Sequence, residues 1–200
     1  MVRGVVFDVG NVIVRWDPRT LYSKLFPDAS ERDWFLANVC TMDWHLASDA
    51  GLSFAENGAR LISRFPEHAP AIRAWQDRWA EMFSGVIPET ETAIEALAAR
   101  GVPMFGLTNM AAETQASTFA MSPAFARLAD TVVSGREGVI KPDPRIFHIL
   151  CERAGMAPGE LLFVDDSARN IDAAAALGFD VHLFDDPAAL RPALEARGLL

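Results

Sequence analysis

Four stretches of this 200-residue chain could do chemistry. Asp8 interrupts the apolar run "VVFDVGNVIV", Thr108 and Asn109 close "VPMFGLTN", Lys141 stands in "GVIKPDP", and Asp165 and Asp166 close "LLFVDD", with Asn170 one turn further on. A carboxylate inside an apolar run is costly unless it is paired. Several carboxylates brought together stay partly protonated unless a cation joins them. Oxygen ligands with no His or Cys beside them suit Mg²⁺. Lys141 would offset the remaining negative charge and help hold an anion, and Thr108 and Asn109 would donate to its oxygens. This is the set needed for phosphoryl transfer, with Asp8 as a nucleophile that forms an aspartyl-phosphate for water to hydrolyse.

Each of these residues also has a plain explanation, as an N-cap, a turn former or a helix lead-in. Their order is harder to explain that way, because each falls at the end of a run that reads as a buried strand. The runs are "GVVFD" (4–8), "VPMFGLT" (102–108), "TVVSG" (131–135), "LLFVDD" (161–166) and "DVHLFDD" (180–186). Most are continuously apolar, which is the pattern of parallel strands covered on both faces. Helical stretches separate the later runs. "PETETAIEALAARG" opens on Pro88 and acids and closes on Gly101, "DPRIFHILCERAG" has Asp143 as N-cap and Pro144 at the first helical position, and "SARNIDAAAALG" ends on Gly178. The alternation predicts an α/β fold, a Rossmann-like parallel sheet flanked by helices, with ligands bound outside the carboxyl ends of the strands.

The alternation fails over residues 16–85, where no good strand is visible and several helix starts are. Ser53 with Glu56 reads as a capping box. Trp34, Trp44, Trp75, Trp79, Phe35, Phe54, Phe65 and Phe83 all fall in this region and read as core aromatics. The expected organisation is therefore a core made of residues 1–15 and 86–200, with an all-helical insertion over 16–85. The stretch "TMDWHLASDAG" (41–51) lacks a clean helical period. It reads either as a loop facing a pocket or as a connection between helices.

The formal net charge of −9 repels phosphate backbones and anionic lipid, so neither nucleic acid nor a membrane is an expected partner. No apolar run approaches the length of a membrane span. The early apolar stretch is interrupted by Asp8 and Asn11 and lacks a cleavage site, so a signal peptide is not expected and the chain reads as cytoplasmic. Cys40 and Cys151 form no CxxC pair and read as free thiols. Oligomeric state is not legible.

From end to end the chain resembles the haloacid dehalogenase superfamily of hydrolases. "VFDVGNV" matches the first motif of that family with Asp8 in the nucleophile position, "GLTN" matches the second at Thr108, Lys141-Pro142 matches the third, and "FVDDSARN" matches the fourth. The resemblance implies Mg²⁺ held by Asp8, the Gly10 carbonyl and Asp166, with Asp165 as the partner of Asp166 at the metal and Asn170 in an outer position. It implies hydrolysis of a small phosphorylated metabolite, since the motifs are most similar to sugar-phosphatase-like members. It also implies that 16–85 is a mobile cap that closes over the substrate, with Trp44 and His45 as substrate contacts and Asn11 a further one beside the nucleophile. One departure matters. Most phosphatases of the family carry a second Asp two residues after the nucleophile, as general acid and base. Here that residue is Gly10, expected to serve a tight turn, and a residue such as His45 or Asp43 would have to supply the proton. A 2-haloacid dehalogenase and a weakly catalytic metabolite-binding protein are the alternatives; the acidic pair 165–166 argues against the former.

Overall fold

The computed structural model describes residues 1–200. The chain opens with β1 (Gly4–Phe7) and turns into the short β2 (Val14–Trp16). Five helices follow: α1 (Pro18–Leu25), α2 (Ala29–Asn38), α3 (Met42–Asp49), α4 (Phe54–Arg64) and α5 (Ala69–Asp77). Then β3 (Phe83–Val86) returns antiparallel to β2. From there the chain runs through α6 (Pro88–Ala99), β4 (Met104–Thr108), α7 (Gln115–Phe119), β5 (Asp130–Val133), α8 (Ser134–Glu137) and α9 (Pro144–Ala154). It ends with β6 (Leu161–Asp165), α10 (Ala168–Ala176), β7 (Asp180–Leu183) and α11 (Leu190–Glu195).

The main sheet has the order β5-β4-β1-β6-β7, and every neighbouring pair is parallel. This is the α/β architecture expected from the apolar runs. Central β1 explains why those runs do not alternate. Val5 and Phe7 pack on one side with Ile94 and Leu97 of α6 and Leu190 and Leu194 of α11. Val6 packs on the other side with Phe147 and Leu150 of α9 and Ile171 of α10. The chain leaves β1 for β4 and β5, then returns to β6 on the opposite flank. The connections therefore diverge at the carboxyl end of β1, which opens a crevice there.

A third apolar cluster lies in the helical insertion and includes Tyr22, Phe35, Phe54, Trp75 and Trp79. Full burial of each large side chain contributes about 1.5–3 kcal/mol, which is how five short helices hold one shape. Trp34 is the exception among the expected core aromatics: it is half exposed. Three other expectations are corrected. The region is not free of strand, because β2 and β3 pair at its two ends. Residues 42–49 are helix α3, capped by Thr41, whose Oγ1 accepts the Trp44 N–H at 3.1 Å. The buried stripe of α3 is His45, Ser48 and Asp49, so a search for apolar periodicity could not see it. Finally, Gly10 has no positive φ; the left-handed residue of the first loop is Asn11, at φ 56°, a conformation that Asn tolerates better than most residues.

Cys40 is buried, Cys151 is half-buried, and both are free. No helix is long and apolar enough to cross a membrane.

Candidate active site

The carboxyl ends of the strands deliver their residues to one place. Asp8 follows β1 directly, and its Oδ1 accepts the Val9 N–H at 2.7 Å. The same oxygen lies 3.0 Å from the Lys141 ammonium. Lys141 is itself buried and donates to Asp165 Oδ2 at 2.6 Å and to the Leu107 carbonyl at 2.9 Å. Asp8 Oδ2 is left without a partner from the chain and is the oxygen available for chemistry. Asp8, Asp165 and Asp166 each offer an oxygen within 4.8 Å of the others.

One ammonium against three carboxylates leaves an excess of negative charge. Burial raises the Asp8 carboxyl to about 7; Lys141 opposes the rise, and Asp165 and Asp166 add to it. Asp166 is raised by burial and by Asp165, while Lys141 and the Asn11 side chain pull it down. Burial alone would lower Lys141, yet Asp8 and Asp165 outweigh it and hold the ammonium above its usual range. A divalent cation would balance this group, and oxygen donors of this kind fit Mg²⁺.

The other expected residues take more specific places. Asp165 spends both oxygens, on Lys141, on the Ser167 N–H at 2.8 Å and on Asn170 Nδ2 at 3.0 and 3.1 Å. It anchors Lys141, while Asp8 and Asp166 retain the free oxygens. Asn170 is thus tied to Asp165 and not to the cleft. Asn109 uses both ends of its amide on the Lys141 backbone: Nδ2 donates to the carbonyl at 3.0 Å and Oδ1 accepts the N–H at 2.7 Å. Its side chain thus positions Lys141, and the second N–H of Nδ2 has no partner from the chain. Thr108 is buried, and its hydroxyl has only a 3.5 Å contact to the Asn109 carbonyl, so it keeps a donor for the cleft. Asn11 Oδ1 accepts the Trp16 N–H at 3.0 Å. A Cβ placed on Gly10 would meet nothing within 4 Å, so neither backbone nor space requires glycine there.

The helical insertion covers these residues and encloses a cleft of about 190 Å³. From the core, Asp8, Gly10, Asn11, Thr108, Asn109 and Asp166 line it; from the insertion and its strands come Trp16, Met42, His45, Leu46, Asp49 and Trp79. Trp44 does not line it. That side chain borders a separate cavity of about 480 Å³ between α4 and α5, where its Nε1 donates to the Asn57 carbonyl at 3.2 Å. His45 is not an exposed loop histidine. It lies among Trp16, Phe54, Trp75 and Trp79, with ring centroids 5.1–6.3 Å away, and burial lowers it to about 4, so it is neutral near pH 7. Asp43 is exposed and lies outside the cleft.

Asp49 was not among the residues singled out from the sequence. It is 3 % exposed, and its Oδ1 has no hydrogen-bond partner. His45 Nε2 lies 3.5 Å from that oxygen. The i, i+4 spacing of His45 and Asp49 was the available signal, but it acquires meaning only on a helix. The Asp49 backbone docks the insertion onto the core: Ser134 Oγ donates to its carbonyl at 2.6 Å and accepts the Met110 N–H at 3.0 Å. A second tie runs from the Phe54 N–H to Glu113 Oε2 at 2.9 Å.

Among curated proteins, the chain is 31% identical over 204 residues to Acyl-CoA dehydrogenase family member 10 of Mus musculus, covering 97% of this chain and 19% of that protein. It thus spans about a fifth of the length of that relative. It is 28% identical over 190 residues to the Phosphoglycolate phosphatase of Yersinia pseudotuberculosis, covering 88% of this chain and 78% of that protein. It is also 27% identical over 140 residues to (S)-2-haloacid dehalogenase 4A of Burkholderia cepacia, covering 68% and 56%. Among solved structures, the HAD family enzyme bt-2542 of Bacteroides thetaiotaomicron, a magnesium complex, superposes with a TM-score of 0.72 at 18% identity, covering 95% of this chain and 98% of that one. The family model for haloacid dehalogenase-like hydrolases matches residues 2–178. With that match and the strand-end residues in the expected order, the chain belongs to the haloacid dehalogenase-like hydrolases.

Proposed function

We propose that this hydrolase cleaves a small phosphomonoester in a Mg²⁺-dependent reaction, with Asp8 as nucleophile. The observation that carries the reading is the pairing of a bare Asp8 Oδ2 with an Oδ1 fixed by Val9 and Lys141. One oxygen is restrained, so the other is aimed. Asp8, Asp166 and the Gly10 carbonyl would hold the ion, and bound Mg²⁺ would neutralise the phosphoryl oxygens. Lys141, held by Asp165 and by the Asn109 amide, favours the ionised form of Asp8 beside the incoming anion. Thr108 supplies a neutral donor to a phosphoryl oxygen.

The cleft also restricts the rest of the substrate. No arginine or lysine is among its lining residues, whereas Trp16, Met42, Leu46, Trp79, Phe83 and Met110 are. An apolar wall suits an uncharged group with a flat or greasy face, such as a ring. A substrate carboxylate would face Asp49 with no cation to meet it. This disfavours both a 2-haloacid and phosphoglycolate, and leaves an uncharged alcohol or sugar as the leaving group.

The test is a panel of phosphomonoesters and 2-haloacids assayed with Mg²⁺ and with chelator. The expected result is phosphate release that needs Mg²⁺ and favours uncharged leaving groups over phosphoglycolate. Halide release, or full phosphatase activity in chelator, would overturn the reading.

A further inference from the structure

Asp49 is placed where stability gains nothing from it. It is buried, Oδ1 lacks a partner, and it stands in the last turn of α3. Burial without a partner costs free energy. The carboxyl end of a helix repels an anion. Yet the residue lines the same cleft as Asp8, and its backbone is pinned to the core by Ser134. The cleft has only three other ionisable lining residues. Asp8 is committed to attack, Asp166 to the cation, and His45 is neutral inside its aromatic box.

Resting on the phosphatase reading, we propose that Asp49 is the catalytic acid and base, handing a proton to the leaving-group oxygen and then taking one from water. In the first step Asp8 Oδ2 forms a bond to phosphorus while the bond from phosphorus to the ester oxygen breaks. The electron pair of that oxygen takes the Asp49 proton, so an alcohol leaves and Asp49 is ionised. In the second step the water oxygen bonds to phosphorus, Asp49 takes its proton, and the bond from phosphorus to Asp8 breaks. Phosphate leaves, with Asp8 ionised and Asp49 protonated as at the start. The charge balance agrees with this assignment. Burial raises Asp49 to about 7 and Asp8 raises it further, against the Ala111 backbone N–H and Lys141. On the helix it packs against, Arg136 and Glu137 are turned to Gln115 and Arg153. His45 Nε2 lies 3.5 Å from Oδ1 without a hydrogen bond to it. The acid thus comes from the insertion, and a glycine two residues after the nucleophile is no deficit.

The test compares wild type with Asp49→Asn over esters of graded leaving-group pKa, reading kcat/KM, with intact-mass detection of phosphorylated protein. A positioned acid is worth about 10²–10⁴-fold. Alkyl esters should therefore slow by that factor, while aryl esters, whose oxygens need no proton, change less than about 10-fold. Phosphoenzyme should accumulate in the variant with an aryl ester, because the second step has lost its base. An active wild type with equal losses for both ester classes, or none, would overturn the role of Asp49 alone. A wild type that releases no phosphate from any ester would overturn the phosphatase reading and this assignment with it.

Discussion

Replacing Asp49 with asparagine should make the protein more stable, and the gain should grow with pH. In an unfolded chain an aspartate ionises near 4, whereas burial raises this one to about 7. Between those values the folded state holds more protons than the unfolded state, so stability falls as pH rises. At pH 8 both states are ionised, and the folded state bears the whole cost, about 4 kcal/mol. At pH 5 the folded carboxyl is still protonated, and about 1.5 kcal/mol of that cost is present. Asparagine has the same shape without the titration. It keeps a buried polar group, which holds back about 1–2 kcal/mol of the gain. Urea unfolding in chelator should therefore show a gain of about 2–3 kcal/mol at pH 8 and little change at pH 5. Asp8, Lys141 and His45, the ionisable groups around Asp49, are the same in both proteins and largely cancel. A variant destabilised equally at both pH values would refute the reasoning, because the carboxylate would then have a favourable partner.

Other outcomes follow from the same geometry. Asp8→Asn should fold and lose turnover by roughly 10⁴-fold or more, because an amide does not attack phosphorus; residual activity above a few per cent would remove Asp8 from the nucleophile role. Lys141→Met should lose about 3–5 kcal/mol, since it leaves Asp8 and Asp165 buried without their counter-charge, and Mg²⁺ should restore more of the melting temperature than it adds to wild type. An unchanged melting temperature would contradict the ion-pair account. Ser134→Ala removes the hydroxyl that ties the Asp49 carbonyl to the Met110 N–H. It should cost about 1–3 kcal/mol and speed hydrogen exchange at Met110 before β4 and β6 are affected. Unchanged exchange there would mean that the insertion is docked by its other contacts.

Much of this protein could be read from its sequence because the deciding physics is local. A parallel strand covered on both faces must be apolar throughout, so β1, β4 and β6 announced themselves, and the polar residue at the end of each stood out. Gly101 and Gly178 closed α6 and α10 where their positive φ values are found. Asp143 capped α9, with its Oδ1 accepting the Arg145 N–H. What failed was whatever depends on partners distant in the chain. Asn109 reads as a substrate donor, and only the fold shows that both ends of its amide also hold the Lys141 backbone, 32 residues away. Asp165 reads as a metal ligand, and only the fold shows that its oxygens also hold Lys141, Ser167 and Asn170. Gly10 looked like a turn glycine, but the turn belongs to Asn11. Asp49 is the clearest case. In the sequence it is one acid among many in a polar stretch. Only when α3 packs against the core is its carboxyl removed from water, with Oδ1 left unpartnered, in the same cleft as Asp8, because desolvation is a property of the whole packed structure and not of any segment of it.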